Sequence, residues 1–412
     1  MKHAARPFRR VRLPLSERAF RRLWFALLTS DFGDAIGRIA LVILVFQETG
    51  SGLAAALVPA LSVLPFLGLG QIVTSFVDRW PRRRVLVVAD LIRAAAFGLM
   101  ALPIGTPGRL ALLTVASAVE PPFLAVRRAI TPSTLPEHHF GDGIRLLSAT
   151  TEVALLTGAA AGGLLTAAWG PATVMALNAA TFAVSALALQ GLPLRRVEAP
   201  ATTGERLRAG WQAMTGDRIV RHVWLWFPAL SATALGMEAL ITPFVFDELE
   251  RGEVVVGVLA GVVSVGVLLA AALLPRRTEH VGLVHQMGFV AALGSAIVLG
   301  FLLLPPTLPF AIVAFVGVGA IYSARIPSQI LYGERIDESA RAASASLADG
   351  AYAVAQIVGS LGAGALVDAA GARPAAITIA ALGVTGGLWV RLRPALAGSA
   401  DGAYVEADAR GP

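Results

Sequence analysis

Asp31, Asp34 and Arg38 lie inside one apolar run, positions 23–46, where each ionised side chain costs about 2.5 to 3.5 kcal/mol if the run crosses a bilayer. Charges kept at that cost are the first candidates for chemistry. At ~100° per residue the three fall within about 60° of one another on a helix, so they share a face that turns into the protein. Asp34 and Arg38 are four apart and can form an ion pair. In one reading Asp34 or Asp31 gains and loses a proton while Arg38 tunes its proton affinity or meets an anionic ligand; in the other the charges form a permanent structural bridge. Glu120, just before Pro121-Pro122, and Glu238 are further acids in apolar runs. Each is a candidate to meet a proton or a bound molecule, and Glu120 has Arg127 and Arg128 near enough for a bridge instead.

Membrane helices have to position these groups. The chain has 412 residues, 56% hydrophobic and 15% charged, and a mean hydropathy of +0.70, outside the range of soluble globular domains. Runs long enough to cross a ~30 Å hydrocarbon core as helices lie at 23–46, 53–77, 85–104, 110–126, 146–168 and 172–191. A second set lies at 222–244, 254–275, 281–304, 308–324, 345–368 and 374–390. The runs are continuous, not the ~10-residue alternating segments of a β-barrel. The expected class is an all-α membrane protein of twelve transmembrane helices.

The net charge of +7 points to a membrane surface and not to nucleic acid, because of where the basic residues fall. On a path with both termini inside, 29 of the 34 Lys and Arg lie on the inner side; only Arg109, Arg251 and Arg373 lie outside, and Arg38 and Arg93 sit within spans. By the positive-inside rule both termini are cytoplasmic. The basic segment from Lys2 to Arg22 precedes a full-length span with no small-residue cleavage site, so it reads as a cytoplasmic anchor and not a signal peptide. Residues 194–221 form the longest internal hydrophilic stretch and separate 1–193 from 222–412. A shift of 201 residues superposes Gly158, Gly163, Leu165 and Gly170 on Gly359, Gly364, Leu366 and Gly371. Two pseudo-symmetric six-helix bundles joined by a cytoplasmic linker are therefore expected.

Between the second and third runs stands Asp78-Arg79-Trp80-Pro81-Arg82-Arg83-Arg84, with Thr74 four positions before the acid and Gly70 one turn earlier. This loop resembles the Gly-x-x-x-Asp-Arg-x-x-Arg-Arg loop between helices 2 and 3 of major facilitator superfamily transporters. Gly33-Asp34, Asp90-Leu91-Ile92-Arg93, Ala125-Val126-Arg127-Arg128-Ala129 and Ser323-Ala324-Arg325-Ile326-Pro327-Ser328 extend the resemblance over almost the whole chain, toward the exporter branch with enterobactin and macrolide efflux proteins. The span 5 antiporter signature Gly-x-x-x-Gly-Pro-x-x-Gly-Gly is partly kept. Gly158, Gly162 and Gly163 supply close-packing glycines, but Gly stands where the proline belongs, so the kink is lost.

The resemblance implies the major facilitator fold, with spans 1, 4, 7 and 10 lining a cavity that Asp34, Glu120 and Glu238 share. An acidic cavity favours cationic or polar substrates. Asp78, Arg79, Arg82, Arg83, Arg84, Asp90, Arg93, Glu152 and Asp349 fall toward cytoplasmic helix ends and suit a conformational gate, in which Asp78 meets the N-terminal dipole of span 11. Ordinary solvated interfacial charges are the bland alternative.

Other chemistry finds little footing. With no Cys there is neither a disulfide nor a thiolate metal site, and Glu137-His138-His139 lacks a third ligand at convincing spacing, so no metal is expected. No phosphate-binding Gly-x-x-x-x-Gly-Lys-Ser/Thr motif occurs, so ATP is not the energy source and no cofactor is implied. No nucleophile, base and metal constellation marks an enzyme. The sequence reads as a monomeric, multi-pass inner-membrane transporter that exports a small amphipathic molecule, a drug or secondary metabolite, by proton antiport. An importer or facilitator of a nutrient or lipid is the alternative, and a non-transporting membrane receptor is a more distant one.

Overall fold

The computed structural model describes residues 14–67, 80–192, 203–275 and 279–392, and every regular element among them is helical. First come α1 (Arg18–Thr49), α2 (Gly52–Val63), α3 (Arg82–Met100), α4 (Gly105–Ala118), α5 (Glu120–Ile130), α6 (Phe140–Trp169) and α7 (Pro171–Gln190). Then come α8 (Thr203–Gly216), α9 (Arg218–Ala239), α10 (Glu253–Leu273), α11 (His280–Leu302), α12 (Leu308–Tyr322), α13 (Arg325–Arg335), α14 (Glu338–Ala370) and α15 (Ala372–Leu392). Among the described residues nine helices are long and apolar enough to cross a membrane, α4 with α5 and α12 with α13 each counting as one. α1 and α3 are not among the nine, because Asp31, Asp34 and Arg38 interrupt the first and Arg83, Arg84, Asp90 and Arg93 the second. The stretch Gly52–Leu67 is apolar but shorter.

Contacts gather the chain into two compact units, one of Met1–Pro200 with Glu250–Gly261, the other of Ala201–Leu249 with Val262–Pro412. Within the first, α1 packs on α6 and α7, and α3 packs on α7. Within the second, α9 packs on α14 and α15, and α11 packs on α15. The same pairing order thus recurs.

Local chemistry sets the corners. Gly50 ends α1 in the left-handed region, φ 62°, with its N–H on the Phe46 carbonyl, and Ser51 caps α2 by accepting from the Ala54 N–H at 3.0 Å. Gly170 and Gly371, the pair superposed by the 201-residue shift, end α6 and α14 at φ 79°, ψ 156° and φ 90°, ψ 165°. That region is open to glycine almost alone, so the repeated residue does the same backbone task twice. Pro121 and Pro122 lack the N–H groups needed to continue α4, so the helix breaks and Glu120 becomes the first residue of α5.

The core of the first unit joins Phe20, Leu23 and Leu27 to Leu86, Phe123 and Leu189, and that of the second joins Val223, Leu230, Met287 and Leu331. Large apolar side chains such as Leu187, Leu225, Leu268, Leu273 and Val358 stay exposed, as lipid-facing surface requires. Trp80, Trp169 and Trp389 are exposed near helix ends, where indoles anchor at an interface. Trp24 does something else: its N–H donates to Thr150 at 2.8 Å and ties α1 to α6.

Asp217 organises the entry to α9. It accepts from the Ile219 and Val220 N–H groups at 2.8 and 2.9 Å and pairs with Arg335 at 2.8 Å, while Arg335 also reaches His280 at 3.0 Å. Partial burial opposes ionisation, but the Val220 amide and Arg335 outweigh it and hold the carboxyl below its usual range. A depressed carboxyl stabilises the fold above the unfolded pKa of about 3.9 and loses that contribution as pH falls through the folded value. Asp217→Ala is therefore expected to cost about 1–2 kcal/mol at neutral pH, read as a lower midpoint of thermal unfolding in detergent. The difference from wild type should shrink as pH falls through the folded value, and Asp217→Asn, which keeps the cap, should cost less than Ala.

Candidate functional site

The charges of α1 meet α5 and α6. Nη2 of Arg38 stands 3.3 and 3.5 Å from the two carboxylate oxygens of Glu120 and 3.8 Å from Oδ2 of Asp34. One turn away, Arg127 of α5 lies 3.7 Å from Asp31, and Thr151 of α6 donates to Asp31 at 2.7 Å and accepts from Arg127 at 3.3 Å. Asp31, Asp34 and Glu120 are three acids and Arg38 and Arg127 two bases, which leaves the ionised cluster with one negative charge in excess. Asp34 and Glu120 each keep 21% of their side-chain surface exposed and Arg38 keeps 38%. The group is therefore not sealed within packed side chains.

Glycines hold α1 in this position. A Cβ on Gly158 would lie 2.6 Å from the Ala35 Cβ, and one on Gly162 would lie 3.0 Å from the Ile36 Cα. A Cβ on Gly33 would come within 2.6 Å of the Asn178 Oδ1 on α7. Close backbone approach of this kind is how membrane helices associate where apolar burial gives no net drive. Gly163 faces a different partner: its added Cβ would lie 2.7 Å from the Gly257 Cα on α10. Gln47 donates to Glu253, also on α10, at 2.7 Å.

The described gate candidates of the first unit take several separate partners. Asp90 and Arg93 are buried on α3, 3.8 Å from each other; Ser185 donates to Asp90 at 2.6 Å, and Phe123 and Phe182 hold the Arg93 guanidinium at 4.7 and 5.5 Å from their ring centres. Asp90 Oδ1 and Arg93 Nη2 are buried without a hydrogen-bond partner among the described residues. Arg82 and Arg83, on the first turn of α3, donate to the Ala129 and Gln190 carbonyls at 3.4 and 3.1 Å, so neither meets Asp90. Arg84 and Glu152 are exposed and Asp349 is half-buried on α14. Asp78 and Arg79 lie outside the described residues.

In the second unit Glu238 is exposed on α9 and accepts a hydrogen bond from the Tyr322 hydroxyl of α12. Tyr322, Thr151, Ser185 and the Asp31–Arg127 pair are the participants that reading the sequence missed. Tyr322 carried a signal, being one of only 4 tyrosines in the chain and set in a run of aliphatic residues. Thr and Ser carry no comparable signal in a helix, because they commonly satisfy themselves on a carbonyl one turn back.

The cluster can hold a proton or a cation against an unbalanced acid, and it offers no nucleophile. Among the described residues no group of three His, Cys, Asp or Glu is placed to hold a metal ion. Residues 23–344 match the Major Facilitator Superfamily. The chain is 29% identical over 402 residues to the multidrug efflux pump Tap of Mycobacterium tuberculosis, covering 90% of this chain and 92% of the relative. It is 28% identical over 349 residues to a chloramphenicol resistance protein of Streptomyces lividans, covering 83% and 82%, and 24% identical over 167 residues to macrolide efflux protein A of Streptococcus pyogenes, covering 39% and 40%. Among solved structures the fold is shared with the nucleoside transporter NupG, at a TM-score of 0.70, 12% identity and coverage of 92% and 98%. It is also shared with an inward-facing bacterial homologue of the human lysosomal transporter Spinster, at 0.71, 14%, and 92% and 97%. With its apolar helices and this match over most of its length, the chain belongs to the major facilitator superfamily and is a multi-pass membrane transporter.

Proposed function

We propose that this chain is a proton antiporter that exports a small amphipathic molecule, a drug or secondary metabolite, by alternating access of twelve spans arranged as two six-helix bundles. The observation that carries the reading is the partly exposed cluster of three acids and two arginines around α1. Its one excess negative charge can be balanced by a proton from one side or by a cationic substrate from the other, and a site that accepts either but not both couples the two flows. Efflux and resistance functions among the relatives support the outward direction. The protein works as a monomer, with its termini and linker cytoplasmic as the charge distribution requires.

Expression in a drug-sensitive bacterium tests this directly. Tolerance to at least one of ethidium, chloramphenicol and erythromycin is expected to rise, intracellular accumulation of that compound to fall, and a protonophore to erase both effects. Greater accumulation on expression would make the protein an importer, and efflux that survives collapse of the proton gradient would remove antiport. Gln212→Cys, exposed on α8 in an otherwise Cys-free chain, should resist an impermeant thiol reagent in intact cells and react in inside-out vesicles; the reverse pattern would invert the topology.

A further inference from the structure

Four of the chain's 7 tryptophans, Trp211, Trp224, Trp226 and Trp389, gather where α8 gives way to α9. Trp211 of α8 meets Trp224 edge-on, centroids 5.3 Å apart and planes at 86°, and Trp226 stands 6.2 Å from Trp389 of α15. Trp224 and Trp226 lie about 100° to either side of Leu225, so the two indole pairs border the helix face that Leu225 centres. That face carries Arg218, Arg221, Leu225 and Ala229 within an arc of about 80°, and all four are exposed, Leu225 at 60%. Arg218 and Arg221 precede Leu225 by roughly 10 and 6 Å along the axis. The face thus passes from charged to apolar within about two turns. Its cations are not spent inside the protein. Arg218 makes no hydrogen bond or ion pair among the described residues, and Arg221 gives one N–H to the Thr215 carbonyl at 2.9 Å. Asp217, the adjacent acid, is turned to the Ile219 and Val220 amides and to Arg335.

We infer that this corner binds an anionic glycerophospholipid, its phosphodiester held by Arg218 and Arg221 and its acyl chains laid along Leu225 and Ala229 between the indole pairs. Two guanidiniums on one face match the geometry and charge of a phosphodiester. Indoles sit where a headgroup gives way to hydrocarbon, since each has an apolar body and one N–H donor. Basic residues at the edge of a span attract anionic lipid in the same way. A zwitterionic lipid fits less well, because its own cation is repelled by the two arginines. A free phosphate would leave the apolar half of the face uncovered. The inference does not rest on the substrate or on the direction of transport.

Native mass spectrometry of the purified full-length protein in detergent tests it, with phosphatidylglycerol, phosphatidylcholine of the same chains, and glycerophosphoglycerol, the first lipid's headgroup without chains. The first phosphatidylglycerol is expected to bind about tenfold more tightly than phosphatidylcholine, and a roughly tenfold excess of glycerophosphoglycerol to leave it in place. Arg218→Gln with Arg221→Gln should cut the preference to about twofold or less. Arg18→Gln with Arg145→Gln, which removes two exposed charges from the first unit, should keep it. Tryptophan fluorescence then places the chains. Dibrominated phosphatidylglycerol should quench wild type more than dibrominated phosphatidylcholine at equal mole fraction, and Trp226→Phe with Trp389→Phe should remove about half or more of that excess. Unfolding midpoints separate lost binding from lost fold, and the wild-type preference, the headgroup arm and the quenching arm decide the matter even if the Arg218, Arg221 variant is unstable. Equal affinity for the two lipids, or an equal loss of preference in the Arg18, Arg145 variant, overturns the inference. Displacement by the headgroup alone would make the ligand a free phosphodiester, and undiminished excess quenching without the two tryptophans would put the lipid elsewhere; either result overturns it too.

Discussion

Asp34→Asn is expected to reduce proton-driven substrate movement in proteoliposomes to the passive level, a loss of tenfold or more, while binding of a neutral substrate persists. The geometry singles out Asp34 among the three acids of the cluster. Arg38 is closer to Glu120, at 3.3 Å, than to Asp34, at 3.8 Å, and Asp31 has Arg127 and the Thr151 hydroxyl as its own partners. Asp34 can therefore lose its charge while Arg38 remains paired, whereas neutralising Glu120 takes away the nearer partner of Arg38 and breaks a bridge between α1 and α5. The same assay separates the roles. Glu120→Gln should lower thermal stability as well as transport, and Asp34→Asn should lower transport with little change in the unfolding midpoint. Uphill transport by Asp34→Asn that still stops when the pH gradient is collapsed would move the proton to another site, and Glu120 and Glu238 would be the next acids to replace.

The second large effect is expected at Gly257. A Cβ there would stand 2.8 and 2.9 Å from the Ala159 and Ala160 carbonyl oxygens and 2.9 Å from the Gly163 Cα. All three are backbone atoms, so no side chain can swing aside. Gly257→Val must push the start of α10 off α6, which costs about 1–3 kcal/mol as overpacking and removes the close approach that holds two membrane helices together. Transport is expected to fall at least tenfold, with a lower unfolding midpoint in detergent. Gly300→Ala on α11 is the control. Nothing lies within 4 Å of its added Cβ, so a better helix former should leave transport unchanged and raise stability by up to about 1 kcal/mol. A normal rate in Gly257→Val would show that this contact is not maintained through the transport cycle.

Features that depend on one helix or one turn were legible in the sequence. The Asp34–Arg38 spacing follows from helical periodicity, and the helix ends at Gly170 and Gly371 from a repeated glycine whose backbone conformation excludes other residues, whereas the run 110–126 reads as unbroken and the structure divides it before Glu120. Features that depend on which helix lies beside which were not. Arg38 pairs more closely with Glu120, 82 residues away, than with the acid four residues away. Arg127 turns to Asp31, although Glu120 is its nearer candidate in sequence. The sequence places Asp90 and Arg93 toward a cytoplasmic helix end as candidates for a gate, and it does not show that the rotation of α3 buries both. In a membrane protein apolar residues cover lipid-facing and protein-facing surfaces alike, so hydrophobic periodicity alone does not fix that rotation.

The bridge from Arg38 to Glu120 has a consequence for how the chain is made. At about 5–20 residues per second, the 82 residues between them put Glu120 roughly 4–16 seconds behind Arg38 on the ribosome. During that interval α1 has left the ribosome with Asp31, Asp34 and Arg38 and without its partners on α5. Its own Asp34–Arg38 pair is the compensation available at that stage, each lone charge otherwise opposing insertion by about 2.5 to 3.5 kcal/mol. α1 therefore enters the bilayer with its charges incompletely paired, and the contact that completes them arrives with α5, after α2 and α3 have been delivered.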